Sequence, residues 1–403
     1  DCGRKHRPAR NSRAENCRRN PAKMIKLHAL FGPEDAPGQS GTFRLFPRRG
    51  RDRWLLETRF RRPWHLETWP QASRRARIIY CVAQLLGMLG IQLPSRRVTV
   101  SISNGSLYAS LRVRFEALGI FLGTPGPNRK VVIFAKDKDR SWFIKVPIND
   151  KTRALAKSEG ATLEALAADE SLAPLVPRCH WIEDALAVED VRASGARFAP
   201  LDQDEVMRVH QLLFARSRTE VPFAELIKGW TAQDVAAQPH PHPHPATAAK
   251  IAPARDAAYR FVATIPAACP VECYEAHGDF TRWNVLRARD GSARIIDWEL
   301  IGQRPKFFDP FHYVVSQSIL VSRMPADEIL LQALRMAEGV VDSHVLELYF
   351  GAYLASQVFF YCQLFEAQEI LDMQAYWQLE TWSQLLDTLV KRQSTLNLLP
   401  YTP

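Results

Sequence analysis

Apolar positions first recur every second residue and later every third or fourth, and the change divides the chain into two parts. Val98 to Ser103 alternates apolar and polar side chains, the pattern of a half-buried strand. Asn104-Gly105 reads as a two-residue hairpin turn, and Leu107 to Phe115 as the returning strand. Leu118 to Gly123, Lys130 to Ala135 and Ser141 to Val146 continue the run of short strands, separated by a Pro/Gly turn and a charged turn. Residues 151–168 space Leu155, Leu163, Leu166 and Ala167 among charges as a helix, and Cys179 to Ile182 and Leu186 to Val191 are two further strands. From Asp202 onward the spacing is helical over 203–216, 251–264, 326–339, 345–365 and 368–392, with one strand at Arg294 to Trp298. The pattern predicts an α+β protein of two lobes: a small antiparallel β-lobe with one long helix, then a larger, mainly helical lobe.

The flanks are less regular. Residues 24–96 are rich in Arg, Trp and Pro, and their weak periodicity assigns no fold. Within them, Ile78 to Ile91 makes one apolar helix, too short to cross a bilayer and expected to pack on the protein itself. Arg74, Arg75 and Arg77 ahead of it would alternatively lay it on an anionic membrane surface. Val345 to Phe365 is longer, but Glu347, Gln357 and Gln363 mark it as a buried helix of the helical lobe. Residues 232–247 read as a surface loop. The His240-Pro-His242-Pro-His244 run in that loop points its imidazoles in different directions on an extended backbone, a poor chelate and an ordinary solvated linker. The expected division is therefore a basic, disordered arm (1–23), an N-terminal extension (24–96), a β-rich lobe (97–191) and a helical lobe (192–403).

Charge sharpens this picture. The net charge of +10 is carried by the N-terminal region. Residues 1–23 hold eight Lys/Arg against two acids, and residues 44–77 hold eleven Arg against three acids, whereas residues 78–403 sum to −3. A nucleic-acid role for the whole protein is not implied; contact of the basic N-terminal region with an anionic membrane surface or another polyanion is the alternative reading of that region. The seven cysteines form no CxxC pair, and Cys269 and Cys273 have no second Cys/His pair at zinc spacing. Reduced thiols and a polar start predict a cytoplasmic protein.

The stretch that carries chemistry is His277-Gly278-Asp279-Phe280-Thr281-Arg282-Trp283-Asn284, followed by Ile295-Ile296-Asp297-Trp298. Phosphoryl transfer asks for a carboxylate to orient and deprotonate a hydroxyl, and for oxygen ligands that hold Mg²⁺ on the phosphates. Asp279 fits the first role as catalytic carboxylate. Asn284 and Asp297 fit the second as metal ligands, since Mg²⁺ favours carboxylate and carbonyl oxygens together with substrate phosphates.

These motifs resemble the aminoglycoside phosphotransferase and choline kinase superfamily, whose signature is HGD-x4-N followed by an I-D-[FW] strand. The resemblance covers about residues 107–403 and implies a protein-kinase-like bilobal fold and a small-molecule kinase that uses ATP and Mg²⁺. It implies a strand lysine on the phosphates, for which Lys145 in Trp142-Phe143-Ile144-Lys145-Val146 is the candidate, although alone it would pass for an edge-strand lysine. Its helix partner would be Glu159, chosen over Glu164 because Glu159, Leu163 and Leu166 match the family's E-x3-L-x2-L helix. Gly123 and Gly126 would border a nucleotide loop, although Pro125 and Pro127 offer it no N–H and a plain β-turn reads almost as well. Glu189 and Val191 would belong to the interlobe hinge whose backbone meets adenine. Asp309, in Phe307-Phe308-Asp309-Pro310, resembles the family's aspartate that braces the catalytic loop.

Asp309 follows Asp297 by only 12 positions. A protein kinase needs a longer activation segment ending in an APE-like motif, so the expected acceptor is a small-molecule hydroxyl and no protein substrate is expected. Aromatics and acids on the late helices would suit a cationic amine, as in an aminoglycoside or amino alcohol. Arg282 and Trp283 would suit a sugar. A pseudokinase that binds nucleotide or a partner without chemistry is the alternative. Residues 1–96 lie outside the motifs and are expected to be dispensable for transfer.

Overall fold

The computed structural model describes residues 27–33, 35–47, 52–69, 74–91, 93–123, 129–235, 244–366 and 371–396. The β-lobe starts well before residue 97. A short helix α1 (His28–Phe31) leads into strands β1 (Gly38–Phe46) and β2 (Trp54–Glu57), a 3₁₀ turn (Trp64–Thr68) and helix α2 (Arg74–Met88). Then come β3 (Arg96–Ser103), α3 (Leu107–Arg114), β4 (Ala117–Phe121), β5 (Val131–Lys136), β6 (Ser141–Val146), α4 (Asp150–Ala167), β7 (Cys179–Ile182) and β8 (Ala185–Glu189). The eight strands form one antiparallel sheet in the order β3-β1-β2-β4-β5-β6-β8-β7.

Three expectations change here. Leu107 to Phe115 is helix α3 and not a strand, because Ser106 caps it: its hydroxyl accepts the Ala109 N–H. Asn104-Gly105 therefore turns the chain from β3 into α3. The sheet also runs across residue 97, with β1 in its interior: Phe43 pairs with Val98 on one side and Glu57 on the other. Finally, α2 does form as a helix, but its apolar residues are largely exposed, among them Ile78, Val82, Leu85 and Leu89.

Burial explains why β1 and β2 belong. Phe43, Leu45 and Leu55 are fully buried in the core of this lobe, where Phe31, Phe43 and Tyr108 meet with ring centroids 5.0–5.5 Å apart. Beside them the buried Glu57 carboxylate takes bonds from Arg59, Arg112 and the Tyr108 hydroxyl, each at 2.9 Å. A buried charge with three donors is satisfied; without them it would be costly.

The second lobe contains β9 (Arg197–Phe198), α5 (Gln203–Ser217), β10 (Thr219–Pro222), α6 (Phe223–Val235), α7 (Pro245–Ala263), β11 (Pro270–Ala276), β12 (Val285–Arg287), β13 (Ala293–Ile295) and β14 (Gly302–Pro305). Helices α8 (Phe308–Gln317), α9 (Ala326–Arg335), α10 (Ser343–Glu366) and α11 (Met373–Leu396) complete it. The loop expected over 232–247 is shorter, since α6 reaches Val235 and α7 begins at Pro245; His240 and His242 lie outside the described residues. The strand expected at Arg294 to Trp298 stops at Ile295 and gives way to a 3₁₀ turn (Trp298–Leu300).

Helix α10 is apolar on every side and buried against α7 and α11, as the sequence pattern predicts. Among the described residues it is the helix long and apolar enough to cross a membrane, and 78% of its most apolar window is buried within the protein. Gly351 makes the α10–α7 contact possible, because a Cβ there would run into the Phe261 ring.

The sheet order reverses the expectation that residues 1–96 are dispensable. Removing residues 1–23 is expected to leave the melting midpoint within about 2 °C of the full chain. Removing residues 1–96 takes two interior strands from the sheet and is expected to abolish cooperative unfolding of the β-lobe. Circular dichroism melts of the two truncations decide this, and a sharp transition in the longer one would contradict the role given to β1 and β2.

Candidate active site

The site is assembled by three short pieces of backbone. Strand β6 is interior to the sheet, between β5 and β8, so its side chains alternate between two buried environments. Trp142, Ile144 and Val146 enter the core of the β-lobe, while Phe143 and Lys145 face a cleft between the lobes. Lys145 is thus no edge lysine. Helix α4, started by an Asn149–Thr152 capping box, brings Glu159 beneath it. The Lys145 ammonium donates to both Glu159 oxygens, at 2.6 and 2.7 Å. Glu159, not Glu164, is the partner.

Strand β11 ends at Ala276 and hands the chain to His277-Gly278-Asp279. Gly278 has φ +85°, and a Cβ there would meet the Leu300 carbonyl, so the turn requires glycine. Buried Asp309, in the first turn of α8, accepts the His277 N–H at 2.8 Å and the Gly278 N–H at 3.1 Å. Burial raises the Asp309 carboxyl above its ordinary value against the pull of these bonds and of the neighbouring histidines. The imidazole of His277 spans the loop: its Nε2 lies 3.0 Å from the Ile296 carbonyl and its Nδ1 accepts the Asp279 N–H at 3.2 Å.

The β12–β13 hairpin then closes the distance between Asn284 and Asp297. Val285 pairs with Ile295, so the residues just outside the pair come together, and the Ile296 N–H donates to the Asn284 carbonyl at 2.9 Å. The Asn284 amide nitrogen donates to Asp279 Oδ2 and to the Asp279 carbonyl, both at 2.9 Å, which turns its oxygen away from Asp279. Asp297 sits in the left-handed region at φ 67°, ψ 59°, uncommon outside glycine but tolerated by aspartate. This conformation aims its carboxylate back at Lys145, 2.7 Å away. Burial disfavours the charge of Asp297, and the ammonium groups of Lys145 and Lys130 outweigh it, holding the carboxyl well below the usual range. Lys145 is raised in turn: burial opposes its charge, and Asp297 and Glu159 prevail.

Several participants belong to no motif in the sequence. Lys130 contacts Glu299 closely and lies 3.9 Å from Asp297; burial, with the charge of Lys145, lowers it to about 8. His312, one turn beyond Asp309 on α8, places Nε2 at 3.2 Å from Asp279 Oδ1 and Nδ1 at 3.3 Å from the Tyr353 hydroxyl. Its spacing from Asp309 is the only signal that could have found it. Of the late-helix aromatics, Tyr349, Tyr353, Phe359 and Trp382 are buried in the core, and Tyr353 reaches Asp279 through His312.

The cleft, about 730 Å³, is lined by Lys130, Lys145, Asn284 and Asp297 at one end and by Val188, Glu189, Asp190 and Val191 at the hinge. The Glu189 carboxylate is held by Arg178 at 2.6 and 2.9 Å, and its N–H donates to the Arg178 carbonyl at 2.8 Å. Gly123, at φ +77°, packs against the Lys130 carbonyl; Gly126 lies outside the described residues. Glu67, Thr68 and Trp69 also line the cleft, so the N-terminal segment contributes a wall to it.

Asn284 and Asp297 offer an amide oxygen and a carboxylate, and carboxylate oxygens of Glu159, Asp297 and Glu299 lie within 4.8 Å of one another. Hard oxygen donors of this kind fit Mg²⁺.

No protein-family model matches the chain, and no curated protein matches it. Among solved structures it is similar to choline kinase from Streptococcus pneumoniae, at 16% identity over 64% of this chain and 89% of that one, with a TM-score of 0.40. A thermostable mutant of an aminoglycoside phosphotransferase aligns at 13% identity over 70% of this chain and 98% of that one, TM-score 0.43. A microcompartment-associated aminopropanol kinase aligns at 13% identity over 74% and 100%, TM-score 0.38. At these values the likenesses are distant ones.

Proposed function

We propose that this chain is an ATP- and Mg²⁺-dependent phosphotransferase that moves the γ-phosphoryl group to a hydroxyl of a small molecule. The observation that carries this reading is the convergence of Lys145, Glu159 and Asp297 at one end of the interlobe cleft, with Asn284 joining Asp297 to Asp279. Lys145, held by Glu159, suits the α- and β-phosphates as a fixed cation. The backbone of Glu189 to Val191 suits the adenine edge, and the loop bounded by Gly123, with Gly126, suits the phosphates. Asn284 and Asp297 would hold Mg²⁺, which when bound neutralises charge on the phosphate oxygens.

Asp279 takes the remaining role. The acceptor oxygen attacks the γ-phosphorus, the bond from that phosphorus to the β–γ bridging oxygen breaks, and ADP leaves. The hydroxyl proton passes to an Asp279 carboxylate oxygen. Asn284 on Oδ2 and His312 near Oδ1 fix the plane of that carboxylate. Asp309 holds the loop from behind through two backbone N–H groups. The short segment between Asp297 and Asp309 favours a small acceptor such as an aminoglycoside, an amino alcohol or a sugar.

Asp279→Asn keeps shape and removes the proton acceptor. ADP formation, screened against amino alcohols, amino sugars and monosaccharides, is expected to fall by about 10²–10⁴-fold with nucleotide binding nearly unchanged. Normal turnover in this variant would remove Asp279 from the role.

MgATP at about 100 times its dissociation constant stabilises the native state by about 2.7 kcal/mol. That raises the melting midpoint by roughly 3 °C if the whole chain melts together and by up to about 10 °C if one lobe melts alone. ATP with a chelator is expected to give less, and Asp297→Ala to erase the difference. Equal shifts with and without Mg²⁺ in the native sequence would favour a nucleotide-binding module without catalysis.

A further inference from the structure

Helix α2 is built inside out. The residues it turns toward the protein are Tyr80, Ala83, Gln84 and Gly87, one stripe at helical spacing. Ala83 and Gln84 are buried, and Gly87 lies against Pro63, where a Cβ would collide with the proline ring. The Tyr80 hydroxyl donates to Glu67 at 2.6 Å and the Gln84 amide at 3.1 Å. The outward stripe is Ile78 (64% exposed), Val82, Leu85 (52%) and Leu89 (66%), widened by Ile79, Met88 and Ile91, all exposed. A helix packed on its own protein shows the opposite order, apolar inward and polar outward.

The charges around this face are as badly placed for an isolated protein. The helix opens Arg74-Arg75-Ala76-Arg77, and cations in a first turn oppose the helix dipole. Exposed Arg62 reaches Gln84 of the helix at 3.3 Å, and exposed Arg61 shares a groove with Gly87 and Ile91. An apolar face bordered by arginines matches the boundary of an anionic bilayer, where acyl chains take the apolar side chains and headgroups take the cations. Residues 1–23 contain no Leu, Ile, Val, Met, Phe or Trp and have no apolar surface with which to cover the face. A second copy would bring the same arginine-rich segment against itself.

We propose that the outer face of α2 docks in the plane of an anionic lipid surface. This stands independently of the phosphotransferase reading. The test is co-sedimentation of the full chain with phosphatidylcholine vesicles, with and without phosphatidylglycerol. The chain is expected to pellet with the anionic vesicles only, and less so as salt rises. Val82→Asp/Leu85→Asp is expected to weaken this by about tenfold or more, with the MgATP thermal shift and the melting midpoint retained. Leu85→Gln/Leu89→Gln serves as a milder second variant should the first fold poorly. Failure of the full chain to pellet with phosphatidylglycerol, or equal binding by the folded variants, overturns the proposal. So does light scattering that shows a dimer which either variant converts to monomer.

Discussion

The Lys145 ammonium is the point through which the two lobes are tied. It rises from an interior strand of the sheet, takes both oxygens of Glu159 from the long helix, and bonds Asp297 from the far lobe. Lys145 and Glu159 are buried, so the group is held out of water, and its stability rests on every member being satisfied. Removing one partner of such a buried set leaves a charge without a counterion, which costs about 3–5 kcal/mol. The left-handed backbone at Asp297 is explained by the same demand: an extended residue there would carry its carboxylate away from Lys145. What the rest of the site does follows from this anchor. With Asp297 fixed, the β12–β13 hairpin fixes Asn284, and Asn284 fixes Asp279.

Much of this was legible in the sequence, and for identifiable reasons. The Asp279-x4-Asn284 spacing and Asp297 announce themselves because a tight loop and a short hairpin are local structures, written in consecutive residues. Glu159 was distinguishable from Glu164 by its place relative to Leu163 and Leu166, which face the core. Lys130, His312 and Trp69 were not legible. Each enters the site through contacts over long sequence distances, which no local pattern marks beyond the spacing of His312 from Asp309 on α8. The 24–96 segment failed for a different reason. β2 is four buried residues with no alternation to read, and β1 carries Gly38 and Gly41, a residue type that reads against a strand. Leu107 to Arg114 is a helix although Asn-Gly suggests a hairpin, because one serine hydroxyl at the cap decides the outcome.

A second tie runs from the N-terminal segment to the hinge. Arg192 pairs with Asp190 at 2.7 and 2.9 Å, donates to the Glu67 carbonyl at 3.1 Å and lies 5.0 Å from the Phe143 ring centroid. Burial works against its charge, and the bonds to Asp190, with the nearby Glu67 carboxylate, more than compensate and raise it. Glu67 in turn holds Tyr80 and Gln84. Glu67 therefore meets the hinge and seats α2 at once.

That shared seat has a thermodynamic consequence. Glu67 belongs at once to the perimeter of the interlobe cleft and to the bed of an outward-facing helix. Were a ligand to bind one placement of α2 better than another and thereby change how Glu67 is held, affinity in the cleft would change by some factor, and occupancy of the cleft would change affinity at α2 by the same factor. Coupling of this kind needs no large motion; a change in how tightly one carboxylate is held suffices.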